Sequence, residues 1–159
     1  MSPLLFALAC ASPETDPGLH EDVSGTCPSL VLAPEVEHEV LAATDHHYFT
    51  DAVAFLPSKI VRNDTGWEEL MTGLGITLPA PDFTLQMALA AWYVGDTCDA
   101  VFDGHGLFDV EGTVHLEARF SDGSECGGCD APGGGLVIVV TEAHDHDPTV
   151  CRRVVDTCP

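Results

Sequence analysis

The chain has 159 residues, 45% hydrophobic and 19% charged, with 26 acidic side chains against five basic ones and a formal net charge of −21. That length suits one domain burying roughly 68–70% of its unfolded surface, and the apolar content excludes a disordered tail. So acidic a surface repels phosphate backbones and anionic headgroups, which excludes nucleic acid as a partner and favours basic proteins or divalent cations.

The first element in chain order is Leu4-Leu5-Phe6-Ala7-Leu8-Ala9, an apolar run that ends in a small residue directly before Cys10. It resembles the end of a bacterial lipoprotein signal, in which the cysteine is acylated and becomes the new N-terminus. Residues 1–9 are therefore expected to be a truncated signal segment, with Cys10 as the lipidation site; the competing reading makes Cys10 a core thiol in a strand. No Lys or Arg precedes the run, unlike a full secretory signal. Residues 10–28 carry Pro13, Pro17, Gly18, Gly25 and Pro28 among acids and hydroxyls, the composition of a flexible acidic tether. The domain proper is expected over residues 29–159, extracytoplasmic and held to the envelope bilayer through the acyl anchor alone.

From Val31 the pattern becomes strand-like, with Val36, His38, Val40 and Ala42 on one side. Tyr48 to Leu56 gives a second apolar stretch, with His46-His47 near the turn between them. One helix is predicted, over about residues 65–74. Thr65 and Glu68 have capping-box spacing, and Trp67, Leu70, Met71 and Leu74 recur at i, i+3, i+4 and i+7 as a single buried stripe. Gly73 and Gly75 end it, and Asn63-Asp64-Thr65, formally a glycosylation sequon, overlaps its cap.

After Pro79-Ala80-Pro81, alternation predicts a half-buried strand through Phe83, Leu85, Met87, Leu89, Ala91 and Tyr93. A second follows with Val114, Leu116, Ala118 and Phe120 inward and His115, Glu117 and Arg119 outward. Leu136 to Val140 is apolar on both faces and reads as a central strand, and Val150 to Val155 supplies the last. Asp103-Gly104-His105-Gly106, Ser121-Asp122-Gly123-Ser124 and Pro132-Gly133-Gly134-Gly135 read as turns. The fold class is mainly β with one short helix (α+β): an antiparallel sheet, sandwich or partial barrel, cross-linked by disulfides.

Seven cysteines fit an oxidising compartment. With Cys10 set aside, Cys27, Cys98, Cys126, Cys129, Cys151 and Cys158 allow roughly 15 pairings, among which spacing does not choose. A local Cys126–Cys129 link, with the other four tying the N-terminal segment and last strand to the sheet, is the expectation carried forward. Cys126-Gly127-Gly128-Cys129 lacks the helix that a redox dithiol needs, because Asp130, Ala131, Pro132 and three glycines follow. It has the spacing of half a zinc knuckle, but the later cysteines are too far apart for the other half.

His144-Asp145-His146-Asp147 is the sharpest metal candidate. In a strand, His144 and His146 would share a side and chelate copper, zinc or nickel, with Asp145 and Asp147 beside them; the plainer reading is a polar loop entering Pro148. Asp96, Asp99 and Asp103 lack EF-hand spacing. The chain contains no Gly-x-Ser-x-Gly elbow, no His-Glu-x-x-His and no phosphate-binding glycine loop.

From residue 58 onward the order of features resembles the PrcB-type protease-complex lipoproteins. The shared elements are Ser58-Lys59-Ile60-Val61 leading to a Trp67-Glu68-Glu69-Leu70 helix, then Pro81-Asp82-Phe83 opening a strand rich in small apolar residues. Gly95-Asp96-Thr97-Cys98 stands where that family has a Thr-Gly-Gly-Tyr turn. The resemblance implies a lipoprotein associated with an extracytoplasmic protease complex, with no catalytic residues to carry over. The function expected is a non-enzymatic adaptor, without cofactor, that binds or stabilises an envelope or secreted protein. The alternative is an extracytoplasmic divalent-metal-binding protein using the His/Asp cluster.

Overall fold

The structure is a computed structural model that describes residues 19–20, 32–44, 58–95, 101–122 and 133–156. Two four-stranded sheets pack face to face. The first contains β2 (Glu39–Thr44), β7 (Gly133–Glu142), β4 (Gln86–Gly95) and β3 (Ser58–Val61), in that spatial order and antiparallel throughout. The second contains β1 (Leu19–His20), β8 (Thr149–Asp156), β6 (Thr113–Asp122) and β5 (Val101–Val110). Here β6 and β8 run parallel, against the antiparallel expectation, because the chain leaves β6, builds β7 in the opposite sheet and returns in its original direction. The architecture is a sandwich with no closed barrel. β1 lies inside the stretch read as a tether and pairs Leu19 with Val155 and His20 with Val154.

The one helix among the described residues, α1 (Asp64–Leu74), covers the outer face of the first sheet. Its N-cap is Asn63, whose side chain accepts from the Gly66 amide at 2.8 Å, so the cap lies two residues before the predicted Thr65. Gly73 is helical, and Gly75 alone ends the helix in the left-handed region, its amide donating to Met71 and Thr72 carbonyls. Trp67, Leu70, Met71 and Leu74 are all buried, as their spacing predicts. They join Ala88, Ala90 and Trp92 of β4 and Leu136, Ile138 and Val140 of β7 in one apolar layer.

The other layer lies between the sheets. Met87, Leu89 and Ala91 of β4, with Val137 and Val139 of β7, meet Leu107, Val114, Leu116, Ala118, Phe120, Val150 and Val154. β4 is therefore buried on both faces rather than half-buried, since it sits inside a sheet covered by a helix on one side and a second sheet on the other. Its start also differs from expectation. Phe83 and Leu85 belong to a turn, in which the Asp82 side chain accepts from the Thr84 amide at 3.0 Å, and the strand opens only at Gln86. Leu85 is 67% exposed as a result.

Two glycine-rich stretches read as turns are strand. Residues 103–106 lie within β5, where a register shift between Phe102 and Gly104 absorbs the irregular pattern. Residues 133–135 open β7, pairing with Tyr93 to Gly95. Gly135 marks a close approach of the sheets: a Cβ there would sit 2.7 Å from the Phe102 amide nitrogen and 2.9 Å from Phe120 Cδ1. The β5–β6 hairpin turns on Glu111 (φ 54°) and Gly112 (φ 84°), both left-handed, the geometry of a two-residue type I′ turn.

Candidate cation-binding site at the sheet crossing

The segment before β2 is where the chain passes from one sheet to the other. Its first part adds to the edge of β5: the Asp109 amide donates to the Pro34 carbonyl at 3.0 Å, and the Val36 amide to the Leu107 carbonyl at 2.8 Å. Val36 turns into the inter-sheet core. The Thr141 hydroxyl on β7 then donates to the Glu37 carbonyl at 3.1 Å, and β2 begins at Glu39. A bulge between Val40 and Ala42 breaks the alternation expected here, so Leu41 and Ala42 both pack on the outer layer while Val40 is 43% exposed.

This crossing carries His38 to His105 on β5. Their Nε2 atoms lie 3.0 Å apart, with the rings edge-on at 80° and centroids 5.2 Å apart. His38 Nδ1 is 2.8 Å from the Val36 carbonyl oxygen. A carbonyl only accepts, so Nδ1 carries the proton and His38 Nε2 presents its lone pair to His105. The His105 ring stacks on Phe102, centroids 6.0 Å apart at 27°, which fixes its plane. Burial holds His105 below the ordinary histidine pKa, with the neighbouring His38 and Arg119 acting in the same direction and Glu35 against it.

Beside the pair, a cleft of about 410 Å³ is lined by Val36, Glu37, His38, Glu39, Gln86, Val140, Thr141, Glu142 and His144. Three carboxylates at its wall give it negative potential in a molecule already at −21. Its chemistry suits a cationic group: a lysine or arginine side chain, or a metal ion.

The sequence-predicted metal residues are arranged differently. β7 ends at Glu142, and residues 143–148 form a loop bent at 145–146, so His144 and His146 do not share a strand face. Arg62 fixes this loop by donating to the His144 carbonyl at 2.8 Å and the His146 carbonyl at 3.1 Å. Asp147 lies 3.8 Å from the same guanidinium, and Asp145 is exposed. Among the described residues no three His, Cys, Asp or Glu side chains gather as a metal site. Asp103 accepts from Ser121 at 3.2 Å on the β5–β6 ladder.

Cys151 is fully buried on β8. Cys10, Cys27, Cys98, Cys126, Cys129 and Cys158 lie outside the described residues, as do His46, His47, Asp96, Asp99 and the apolar stretch from Tyr48 to Leu56. The pairing pattern therefore stays an expectation. No helix among the described residues is long and apolar enough to cross a membrane.

Sequence reasoning missed the His38–His105 pair. The two residues are 67 positions apart, and His105 sits in a Gly-His-Gly stretch that reads as a turn. A strand assignment for residues 101–110 would have placed His105 on a sheet edge, but nothing in the pattern says that His38 crosses there.

Fold and site together define an acidic β-sandwich, helix-covered on one face, with a cation-attracting cleft where the chain changes sheets. Compared with known protein families, curated proteins and solved structures, the chain matches none.

Proposed function

We propose that this domain is a non-enzymatic, extracytoplasmic binding module, lipid-anchored at Cys10, that holds a basic region of another envelope or secreted protein. The carrying observation is the crossing cleft, where Glu37, Glu39 and Glu142 line one depression on a rigid two-sheet scaffold. Convergent carboxylates in a chain of net charge −21 steer a basic partner and fix its register. The cysteine content and the apolar run before Cys10 support export and anchoring. The resemblance of residues 58–159 to PrcB-type lipoproteins supports a protease complex as the partner's setting.

The test is affinity capture from solubilised native envelopes, with the parent chain and a Glu37→Lys, Glu39→Lys, Glu142→Lys variant as paired baits. The reading expects a partner retained by the parent at low salt, weakened as salt rises, and lost with the variant. Recovery of no partner above background, or equal recovery by both baits, overturns it. Mass spectrometry of the mature N-terminal peptide tests the anchor, which requires a diacylglyceryl mass on Cys10.

A further inference from the structure

We propose that His38 and His105 form a binding site for a zinc-type divalent transition-metal ion, which takes the place of the proton held between their Nε2 atoms. This goes beyond the binding-module reading and stands without it.

The geometry is close to what the metal requires. Two imidazole nitrogens at a zinc bond length of about 2.05 Å, separated by the tetrahedral angle, lie about 3.3 Å apart. The Nε2 atoms are at 3.0 Å, a few tenths of an ångström short of that separation. An ion with linear two-nitrogen coordination would need them roughly 4 Å apart, about twice the bond length, and fits poorly. Neutral imidazole pairs suit zinc, copper(II) and nickel.

Both ligands are oriented in advance. The Val36 carbonyl takes the Nδ1 proton of His38, the outer hydrogen bond that metal-bound histidines use to set their tautomer. His105 is held by its place in the β5–β6 ladder opposite Ala118 and by stacking on Phe102. His38 is fixed by the hydrogen bonds that anchor Val36 and Glu37 on either side of the crossing. On binding, the proton of the His105 Nε2 moves to its own Nδ1, so that two neutral rings each give one lone pair and no net proton is released. Glu35 adds attraction and Arg119 some repulsion at His105. Two coordination positions remain for water or for a donor from a partner protein.

The two ligands come from the crossing segment and from β5, 67 positions apart, so no local spacing marks them. The pair also moves metal binding from the Arg62-held loop at His144–Asp147 to the sheet crossing.

The experiment uses the full chain, stripped with chelator and titrated with zinc chloride by calorimetry, alongside His38→Gln, His105→Gln and His146→Ala. Expected is a saturable zinc site in the parent, at least tenfold weaker in either glutamine variant and unchanged in His146→Ala. Circular dichroism checks that each variant folds. A long-range ¹⁵N–¹H histidine spectrum of the unmodified protein gives a variant-free readout, in which zinc must shift the Nε2 resonances of His38 and His105. No saturable heat up to millimolar zinc, undiminished affinity in either glutamine variant, or Nε2 shifts confined to other histidines overturns the proposal.

Discussion

Replacing Gly135 by alanine should destabilise the domain, whereas the same change at Gly66 should stabilise it, and the opposite signs follow from what each new methyl meets. At Gly135 the Cβ would lie 2.7 Å from the Phe102 amide nitrogen, 2.8 Å from Phe102 Cβ and 2.9 Å from Phe120 Cδ1. Two of these are fixed by backbone, so the sheets must part locally, an overpacking strain of about 1–3 kcal/mol. Loss of glycine's unfolded-state freedom opposes this by about 0.4–1 kcal/mol, leaving a net loss of up to about 2.6 kcal/mol, a sizeable part of a typical domain's 5–15 kcal/mol. At Gly66 the nearest atoms are Asn63 Oδ1 and Val61 Cγ1, each 3.4 Å away in ordinary contact, and alanine's helix propensity contributes about 0.5–1 kcal/mol. Urea denaturation of the three proteins measures this. With a slope of about 2 kcal/mol/M, the Gly135→Ala midpoint should fall by up to about 1 M and the Gly66→Ala midpoint should rise. Because Phe102 also carries the His105 ring, Gly135→Ala should shift the His105 side-chain resonances as well. A raised midpoint for Gly135→Ala, at constant slope, would refute the close approach of β5 to β7.

Three further outcomes are expected. Glu111→Asn should raise stability by about 0.5–1 kcal/mol in the same assay, since Glu111 holds a left-handed conformation that asparagine adopts more readily and Gly112 already suits. Arg62→Gln should speed amide hydrogen exchange in residues 144–147 while the β7 amides keep their protection, because the lost contacts, to the His144 and His146 carbonyls and the Asp147 carboxylate, all hold the loop. His115 should make the fold acid-sensitive. Expected to face outward, His115 is instead buried beside Thr149 of β8, and burial lowers its pKa against a smaller opposing effect of Asp109, so its neutral form favours the native state. Its contribution is complete above the unfolded value of about 6.5 and disappears as pH falls through the lower native value, with a slope of at most about 1.4 kcal/mol per pH unit. Unfolding free energies at pH 7.5, 6 and 5 in chelator should therefore fall less steeply for His115→Gln, and identical slopes would exclude this role.

Local patterns were legible where one residue's surroundings follow from its near neighbours. The Trp67–Leu74 stripe, the apolar run from Leu136 to Val140 and the inward set of β6 all sit where their periodicity puts them. The helix cap was misplaced by two residues because Asn63 and Thr65 are both capping types, and only backbone geometry separates them. The glycines at 104, 106 and 133–135 misled for a related reason. Glycine marks turns, but it also marks a strand irregularity and a place where another sheet comes close.

The sequence by itself determined a mainly β, acidic domain with one amphipathic helix, because hydrophobic periodicity and charge are properties of short segments and of sums. Tertiary structure alone decided that β6 and β8 run parallel, that β4 is covered on both faces, and that His38 meets His105 across 67 residues. Those facts depend on which sheet each strand joins. Pairing is a contact between distant segments, and no local spacing records it.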